Sequence, residues 1–120
     1  MAALDAPGVW LPPVDLCESG DTVTVLVELP GVRASDVEVR LAGAELRVEG
    51  RKRKGAPRAV ISHLCSERSY GHFSRAVALR WPIRAAGATA ELRDGLLTVR
   101  LPKLAERRGE EYEIEVTGDK

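Results

Sequence analysis

Two histidines and two cysteines are the residues whose types could bind a metal ion or act in nucleophilic catalysis. His63 and Cys65 are two positions apart, His72 follows them, and Cys17 lies far upstream. A structural zinc site takes four ligands, often as two closely spaced pairs, and these residues lack that spacing. A cysteine nucleophile also needs a base and a group that orients the base, and only proximity in sequence offers a base here. We therefore interpret them as one buried thiol in each of two strands and two surface histidines, and we predict no metal site and no enzyme.

A basic cluster at residues 51–54, RKRK, raises the question of phosphate or nucleic-acid binding. The cluster has no interleaved aromatic residue, and the chain balances 18 basic against 18 acidic residues. No overall field therefore attracts a polyanion, and a solvated loop explains the cluster better. The sequence also lacks a glycine-rich phosphate loop. We predict no nucleic-acid partner, no ATP and no other cofactor.

The composition is typical of one globular domain. Of the 120 residues, 44% are apolar but only 4% are aromatic, so the core must consist mainly of valine, leucine and alanine. No apolar run approaches the roughly 20 residues that span a bilayer, and the first residues lack the basic and long apolar regions of a secretory signal. Two cysteines are too few for a disulfide framework. We expect a cytoplasmic protein with reduced thiols and no membrane partner.

Alternation of apolar and polar residues predicts many short strands. The clearest alternation, in residues 22–29, places four apolar side chains on one face and ends at Pro30-Gly31. Asp94-Gly95 is a turn pair that begins the strand at residues 96–101. Further strand-like segments are residues 14–18, 36–41, 45–50, two pieces within 59–82, and 88–92. Short strands between turns, without a helical period, predict an all-β sandwich of about seven to nine strands.

Four motifs follow one another in a characteristic order. They are ELPGV at 28–32, ERSYGHFSR at 67–75, DGLLTVRLPK at 94–103, and Ile114-x-Val116. In this order they resemble the small heat-shock proteins, the chaperones built on an alpha-crystallin domain. Each motif is weak alone, and the combination makes the resemblance specific.

The resemblance implies a three-part chain and a chaperone function. A short N-terminal arm, residues 1–13, would precede an immunoglobulin-like β-sandwich, the alpha-crystallin domain, at residues 14–103, and residues 104–120 would form a C-terminal extension. The implied function is that of an ATP-independent holdase, which binds partly unfolded proteins and prevents their aggregation. The implied assembly is a homodimer that can build a higher oligomer. The alternative is a β-sandwich adaptor of the p23 co-chaperone type without holdase activity, although the I-x-V tail argues against it.

The tail motif Ile114-x-Val116 is implied to dock in an apolar groove of a neighbouring subunit. In an extended chain the two side chains point the same way, so both fit one groove. The alternative is that they pack on their own domain as a last strand. By resemblance, the groove lies between two strands and is lined by Val37, Val39, Leu41, Ala90 and Leu92.

A long loop from Arg51 to Ser66 is implied to exchange between the subunits of a dimer. In bacterial and plant members such a loop carries a strand to the partner's first strand. An ordinary hairpin within one chain is the alternative, but it would leave unpaired edges. The predicted swap strand consists of Val60, Ile61, Ser62, His63, Leu64 and Cys65, and its target consists of Val14, Leu16 and Cys17.

Client proteins are expected to contact the groove and three apolar residues of the arm, Val9, Trp10 and Leu11. An unfolding protein exposes apolar segments and strand edges, and an apolar groove at a sheet edge covers both. The implied partners are therefore non-native proteins rather than a defined ligand.

Overall fold

The computed structural model describes residues 9–53, 71–104 and 111–119 of the chain. These residues form two five-stranded sheets. The strands are β1 Val9–Trp10, β2 Val14–Ser19, β3 Thr22–Glu28, β4 Val37–Ala42, β5 Glu45–Lys52, β6 Gly71–Ala78, β7 Thr89–Arg93, β8 Leu96–Pro102, β9 Glu111–Ile114 and β10 Val116–Gly118. Sheet 1 has the order β1-β6-β5-β4-β9, and sheet 2 has the order β10-β7-β8-β3-β2.

The predicted all-β sandwich is confirmed. The described residues contain ten strand segments instead of seven to nine, because the arm adds the two-residue β1 and a break at Glu115 divides the tail into β9 and β10. The predicted strand at residues 22–29 agrees with β3 to within one residue. Strand bounds elsewhere differ from the predicted ones by one or two residues, since alternation defines a strand's face better than its ends.

The core is built from alternate residues of the central strands. Val23, Val25 and Val27 of β3 are completely buried, as their alternation predicted. Directly opposite residues of antiparallel strands share a face, so Val25 of β3 lies beside Val99 of β8. Full burial of a valine or leucine side chain contributes about 1.5–3 kcal/mol to the free energy of folding, so this apolar layer holds the two sheets together.

A tight turn at Asp94-Gly95 sets the register of β7 against β8. Both residues have positive φ angles, 53° and 79°, as a type I′ turn requires. This turn suits the right-handed twist of the two strands, and its Asp-Gly sequence is a favoured one. Leu92 of β7 therefore lies directly opposite Leu97 of β8, and both are completely buried.

The interpretation of Cys17 as a buried thiol is wrong, because its side chain is exposed. Cys17 lies in β2, at the edge of sheet 2, opposite Thr24 rather than opposite the buried valines of β3. Its side chain therefore points away from the core. His72 of β6 is exposed, as expected for a surface histidine. The other predicted thiol, Cys65, and His63 lie outside the described residues, as does the whole predicted swap strand, residues 60–65.

Candidate functional site

The C-terminal tail lies along one side of the sandwich, where β4 of sheet 1 and β7 of sheet 2 run at the margin of their sheets. β9 pairs antiparallel with β4, so that Ile114 lies opposite Val39. β10 pairs parallel with β7, so that Val116 lies opposite Ala90. Glu115 is the only residue between the two strands. The tail thus crosses from one sheet to the other within a single residue.

The side chains of the tail alternate between the core and solvent. Ile114 is only 7% exposed and belongs to the core, and Val116 is half-buried against it. Glu113 and Glu115 are exposed. All five predicted groove residues are buried core members: Val37, Val39, Leu41, Ala90 and Leu92. In this single chain the tail occupies its own groove, and docking in a neighbouring subunit stays a prediction.

The predicted tail motif ends at Val116, but the contacts of the tail continue to Asp119. Thr117 lies opposite Glu91, and Gly118 lies opposite Leu92. Asp119 forms hydrogen bonds beyond the end of β10. A glycine followed by an acidic residue is a weak sequence signal, since both are common in chain ends and turns.

The N-terminal arm is attached to the opposite margin of sheet 1 through Trp10. Its ring centroid is 5.3 Å from that of Phe73, and its Nε1–H donates a hydrogen bond of 3.2 Å to the carbonyl of Gly71. The Lys52 ammonium lies 5.9 Å from the centre of the Trp10 ring, within range of a cation–π interaction. Of the predicted client residues, Trp10 therefore packs on the fold, Leu11 is 59% exposed, and Val9 pairs with β6 in β1.

The predicted target of the swap strand, β2, has one side open. Among the described residues β2 pairs only with β3. Leu16 lies opposite Val25 and so shares its inward face, yet it is 40% exposed because no described strand covers it from the other side. Val14 is half-buried against the core, and Cys17 is exposed on the outer face. β2 therefore offers both free backbone groups and apolar area to a further strand.

Within residues 9–53, 71–104 and 111–119, no three His, Cys, Asp or Glu residues form a group able to hold a metal ion. No helix in these ranges is long and apolar enough to cross a membrane. Among the described residues, apolar side chains beside a sheet margin lie at the groove between β4 and β7 and at the open side of β2.

A sequence profile of the Hsp20/alpha crystallin family matches residues 15–117. The chain belongs to this family. It is 40% identical over 101 residues to Heat shock protein 16 of Schizosaccharomyces pombe, a match that covers 82% of this chain and 70% of that protein. It is 30% identical to Spore protein SP21 of Stigmatella aurantiaca and 27% identical to Small heat shock protein C4 of Rickettsia felis, covering 93% and 86% of this chain. The matches span 66% and 63% of those two proteins, so the chain corresponds to about two thirds of their length.

Solved structures of small heat-shock proteins share this sandwich. Heat shock protein 16.0 from Schizosaccharomyces pombe superposes with a TM-score of 0.73 at 35% identity, covering 82% of this chain and 92% of that one. The hspA protein from Xanthomonas axonopodis superposes with a TM-score of 0.70 at 33% identity, covering 78% and 94%. The resemblance predicted from four motifs is confirmed, and the sandwich is an alpha-crystallin domain of a small heat-shock protein. Small heat-shock proteins are non-enzymatic chaperones.

An ion pair fixes the 3₁₀ turn, Ala34–Asp36, by which this alpha-crystallin domain enters β4. Arg53, just after β5, donates from Nε and Nη2 to the two carboxylate oxygens of Asp36 at 2.8 and 2.9 Å. These hydrogen bonds, helped by the charges of Arg53, Arg51 and Arg33, lower the pKa of Asp36 below its ordinary value. The bond also raises the pKa of Arg53. The turn that borders the groove is therefore held by a bidentate contact.

The lowered pKa of Asp36 predicts a pH-dependent contribution to folding. The folded state binds fewer protons than the unfolded state, whose Asp titrates near a pKa of about 3.9, so the contribution is present above that pH and is lost as the pH falls through the folded pKa. We expect the unfolding free energy of wild type to fall more steeply than that of Asp36→Asn between about pH 5 and pH 3. Urea denaturation at several pH values measures the difference.

The variant Arg53→Gln tests the source of this pH dependence. It removes the donor but keeps Asp36, so its pH profile should approach that of Asp36→Asn. A wild-type profile parallel to both variants would contradict the assigned role of the ion pair.

Proposed function

We propose that the chain is an ATP-independent holdase that binds partly unfolded proteins and keeps them from aggregating. The observation that carries the proposal is the groove between β4 and β7, which accepts an extended segment by pairing with both strands at once. Unfolding proteins expose extended apolar segments, and such segments lower their free energy by burying apolar area and pairing with a free strand edge. Membership of a chaperone family supports the same function.

The tail indicates which kind of client segment suits the groove. Ile114 and Val116 are separated by one exposed residue and face inward, while the backbone on either side forms strand pairs. A client segment with two apolar residues at this spacing would make the same contacts. The tail and the client therefore compete for one surface. Leu11 of the arm, which is exposed, offers additional apolar contact outside the groove.

For the assembly we propose a homodimer formed by strand exchange, able to extend to a higher oligomer. The open side of β2, with its uncovered Leu16, is the proposed target, and residues 60–65 are the proposed swap strand. The neighbouring subunit's groove is the proposed site for the tail in the oligomer. We place the protein in the cytoplasm, where the exposed thiol of Cys17 would stay reduced.

The test of the holdase is light scattering from a heat-aggregating model protein without ATP. We expect the wild-type chain to lower scattering in a dose-dependent way near an equal subunit ratio. No suppression at several-fold excess would contradict the proposal and favour an adaptor without holdase activity.

Tail release is expected to make the chain a more effective holdase. The double variant Ile114→Gly, Val116→Gly removes the apolar contacts that keep the groove covered. Burial of the Ile114 side chain alone contributes about 1.5–3 kcal/mol to tail docking. Its loss should raise the equilibrium constant for tail release by about ten- to a hundredfold. Half-suppression of aggregation should then occur at a lower ratio of chain to client.

A matched control is the double variant Glu113→Gly, Glu115→Gly. It places the same number of glycines in the same tail but removes only exposed side chains. Its dose–response curve should stay close to that of wild type. Weaker suppression by the Ile114, Val116 variant than by this control would contradict competition between tail and client, and would indicate that the tail acts by linking subunits.

A further inference from the structure

The last described residues of the tail, Thr117–Asp119, make contacts that an I-x-V motif does not include. The backbone N–H of Asp119 donates a hydrogen bond of 2.8 Å to the carbonyl of Leu92, and its own carbonyl accepts one of 3.0 Å from the N–H of Ala34. Its carboxylate Oδ2 accepts a bond of 2.8 Å from the N–H of Asp94. The Thr117 hydroxyl lies 3.4 Å from the carbonyl of Ala90. Asp119 alone thus forms three of these bonds.

These bonds connect both sheets at one end of the groove. Ala34 begins the 3₁₀ turn that leads into β4 of sheet 1. Asp94 lies in the turn between β7 and β8 of sheet 2. A single residue of the tail therefore joins the two walls of the groove. The bond from the Asp94 N–H ends on a carboxylate, and hydrogen bonds to a charged acceptor are stronger than those between neutral groups.

Gly118 is required for this path of the chain. Its φ of +128° is a conformation that residues with a side chain rarely adopt. A Cβ atom at this position would lie 1.7 Å from the carbonyl oxygen and 2.6 Å from the carbonyl carbon of Leu92. These neighbours are backbone atoms of a paired strand, so they cannot move aside as a flexible side chain would. Any other residue at 118 must lift the tail from β7.

We propose that Gly118 and Asp119 form a second anchor, so that the groove recognises the sequence Ile-x-Val-x-Gly-Asp and not I-x-V alone. The ligand class is an extended peptide with two apolar residues, followed by a glycine that permits close approach and by a carboxylate that receives the Asp94 N–H. The second anchor rests on the proposed role of the groove as a docking site for extended segments. It applies whether the docked tail comes from the same chain or from a neighbour.

The second anchor makes the groove selective. A tail with apolar residues at the right spacing but without the glycine would collide with the backbone of Leu92 and lose the bonds of Asp119. Such a tail would be held only by its two apolar side chains and by the strand pairing before position 118. The groove would therefore prefer the tail of this chain over other I-x-V segments.

Hydrogen–deuterium exchange of the full-length chain, followed by mass spectrometry, tests the second anchor. The peptides to follow cover residues 31–36, 92–96 and 116–119, which contain the three donor amides. We expect Asp119→Ala to speed exchange at Asp94 by about tenfold, because one hydrogen bond to a charged group is lost. Gly118→Ala should speed exchange in all three peptides by at least about a hundredfold, since both steric overlap and an unfavourable φ act against docking.

Two further variants separate the hydrogen bond from general effects on the tail. Asp119→Asn keeps a side-chain oxygen that can accept from the Asp94 N–H, and should restore most of the protection lost in Asp119→Ala. Glu115→Ala removes an exposed acidic side chain from the same tail, and should exchange like wild type.

The results also distinguish the second anchor from the proposed function. Wild-type exchange in Gly118→Ala and Asp119→Ala, together with fast exchange in the Ile114→Gly, Val116→Gly variant, would overturn the second anchor while leaving tail docking intact. The expected exchange pattern in a chain that fails to suppress aggregation would establish the anchor and reject the holdase.

Discussion

Replacing Leu16 with proline is expected to raise the dissociation constant of the proposed dimer by at least about a hundredfold while leaving each subunit folded. Strand exchange requires the open side of β2 to pair with a strand of the partner. Proline has no N–H to donate, and its ring obstructs the approach of a neighbouring strand. The partner strand would lose the hydrogen bond from the N–H of residue 16, and it would lose its contact with the uncovered leucine side chain.

The backbone pattern of β2 makes residue 16 the suitable position. The Glu28 N–H donates to the Pro13 carbonyl at 3.1 Å, so position 13 forms a hydrogen-bonded pair with β3. Such pairs alternate along an antiparallel ladder, so Leu16, three positions further on, lies in a non-hydrogen-bonded pair with Val25. The N–H of Leu16 therefore points away from β3, and its loss costs sheet 2 no bond.

Sedimentation velocity over a range of concentrations measures the expected dissociation, and thermal unfolding checks the fold. Leu16→Ala is the control for lost apolar contact, because it keeps the N–H and should weaken the dimer less. Cys17→Pro is the opposite control, since the N–H of Cys17 faces β3 and its loss should destabilise the subunit itself. A Leu16→Pro chain that stays dimeric at the wild-type dissociation constant would exclude β2 as the exchange edge.

The substitution Phe73→Ala is expected to lower the free energy of unfolding by about 3–5 kcal/mol. Phe73 is the largest fully buried side chain among the described residues, and it lies in β6 opposite Gly50 of β5. Truncation removes its transfer free energy and leaves a cavity that the surrounding strands cannot fill completely. It also removes the ring against which Trp10 packs, so the attachment of the arm to sheet 1 should weaken.

Urea denaturation measures the loss of stability, and tryptophan fluorescence at low urea, recorded in a Trp81→Phe background, reports the environment of Trp10. Phe73→Leu keeps most of the side-chain volume, so it should lower the free energy of unfolding less than Phe73→Ala does. Ser74→Ala, at the next and exposed position of β6, should have little effect on either signal. A loss below about 1 kcal/mol for Phe73→Ala would mean that the arm and β6 are not packed as described.

Much of the sandwich could be predicted from local patterns. Alternation of valine and leucine with polar residues defines which face of β3 is buried, because successive side chains of a strand point to opposite sides. The Asp94-Gly95 pair predicts a tight hairpin, because both positions require positive φ. The order of four motifs identified the family, which the family profile confirmed.

The edges of the sheets could not be predicted in this way. Leu16 alternates like a buried residue and shares the inward face of Val25, but it is 40% exposed because β2 is the last described strand of sheet 2. Trp10 resembled a free contact residue, but it packs on Phe73, 63 positions later in the chain. Whether a strand is central or at an edge depends on partners far away in sequence, and no local pattern contains that information.

The tail, too, has features that the local sequence predicts and features that depend on distant contacts. The spacing of Ile114 and Val116 was sufficient to predict two side chains facing one groove, because the period of an extended chain is two residues. The contribution of Gly118 and Asp119 arises only when the tail lies against Ala34 and against Leu92 and Asp94, which come from two separate parts of the chain. Local sequence therefore determined the faces of the strands and their turns. The tertiary structure decided which edges stay open and how the tail closes the groove, because both depend on contacts between distant residues.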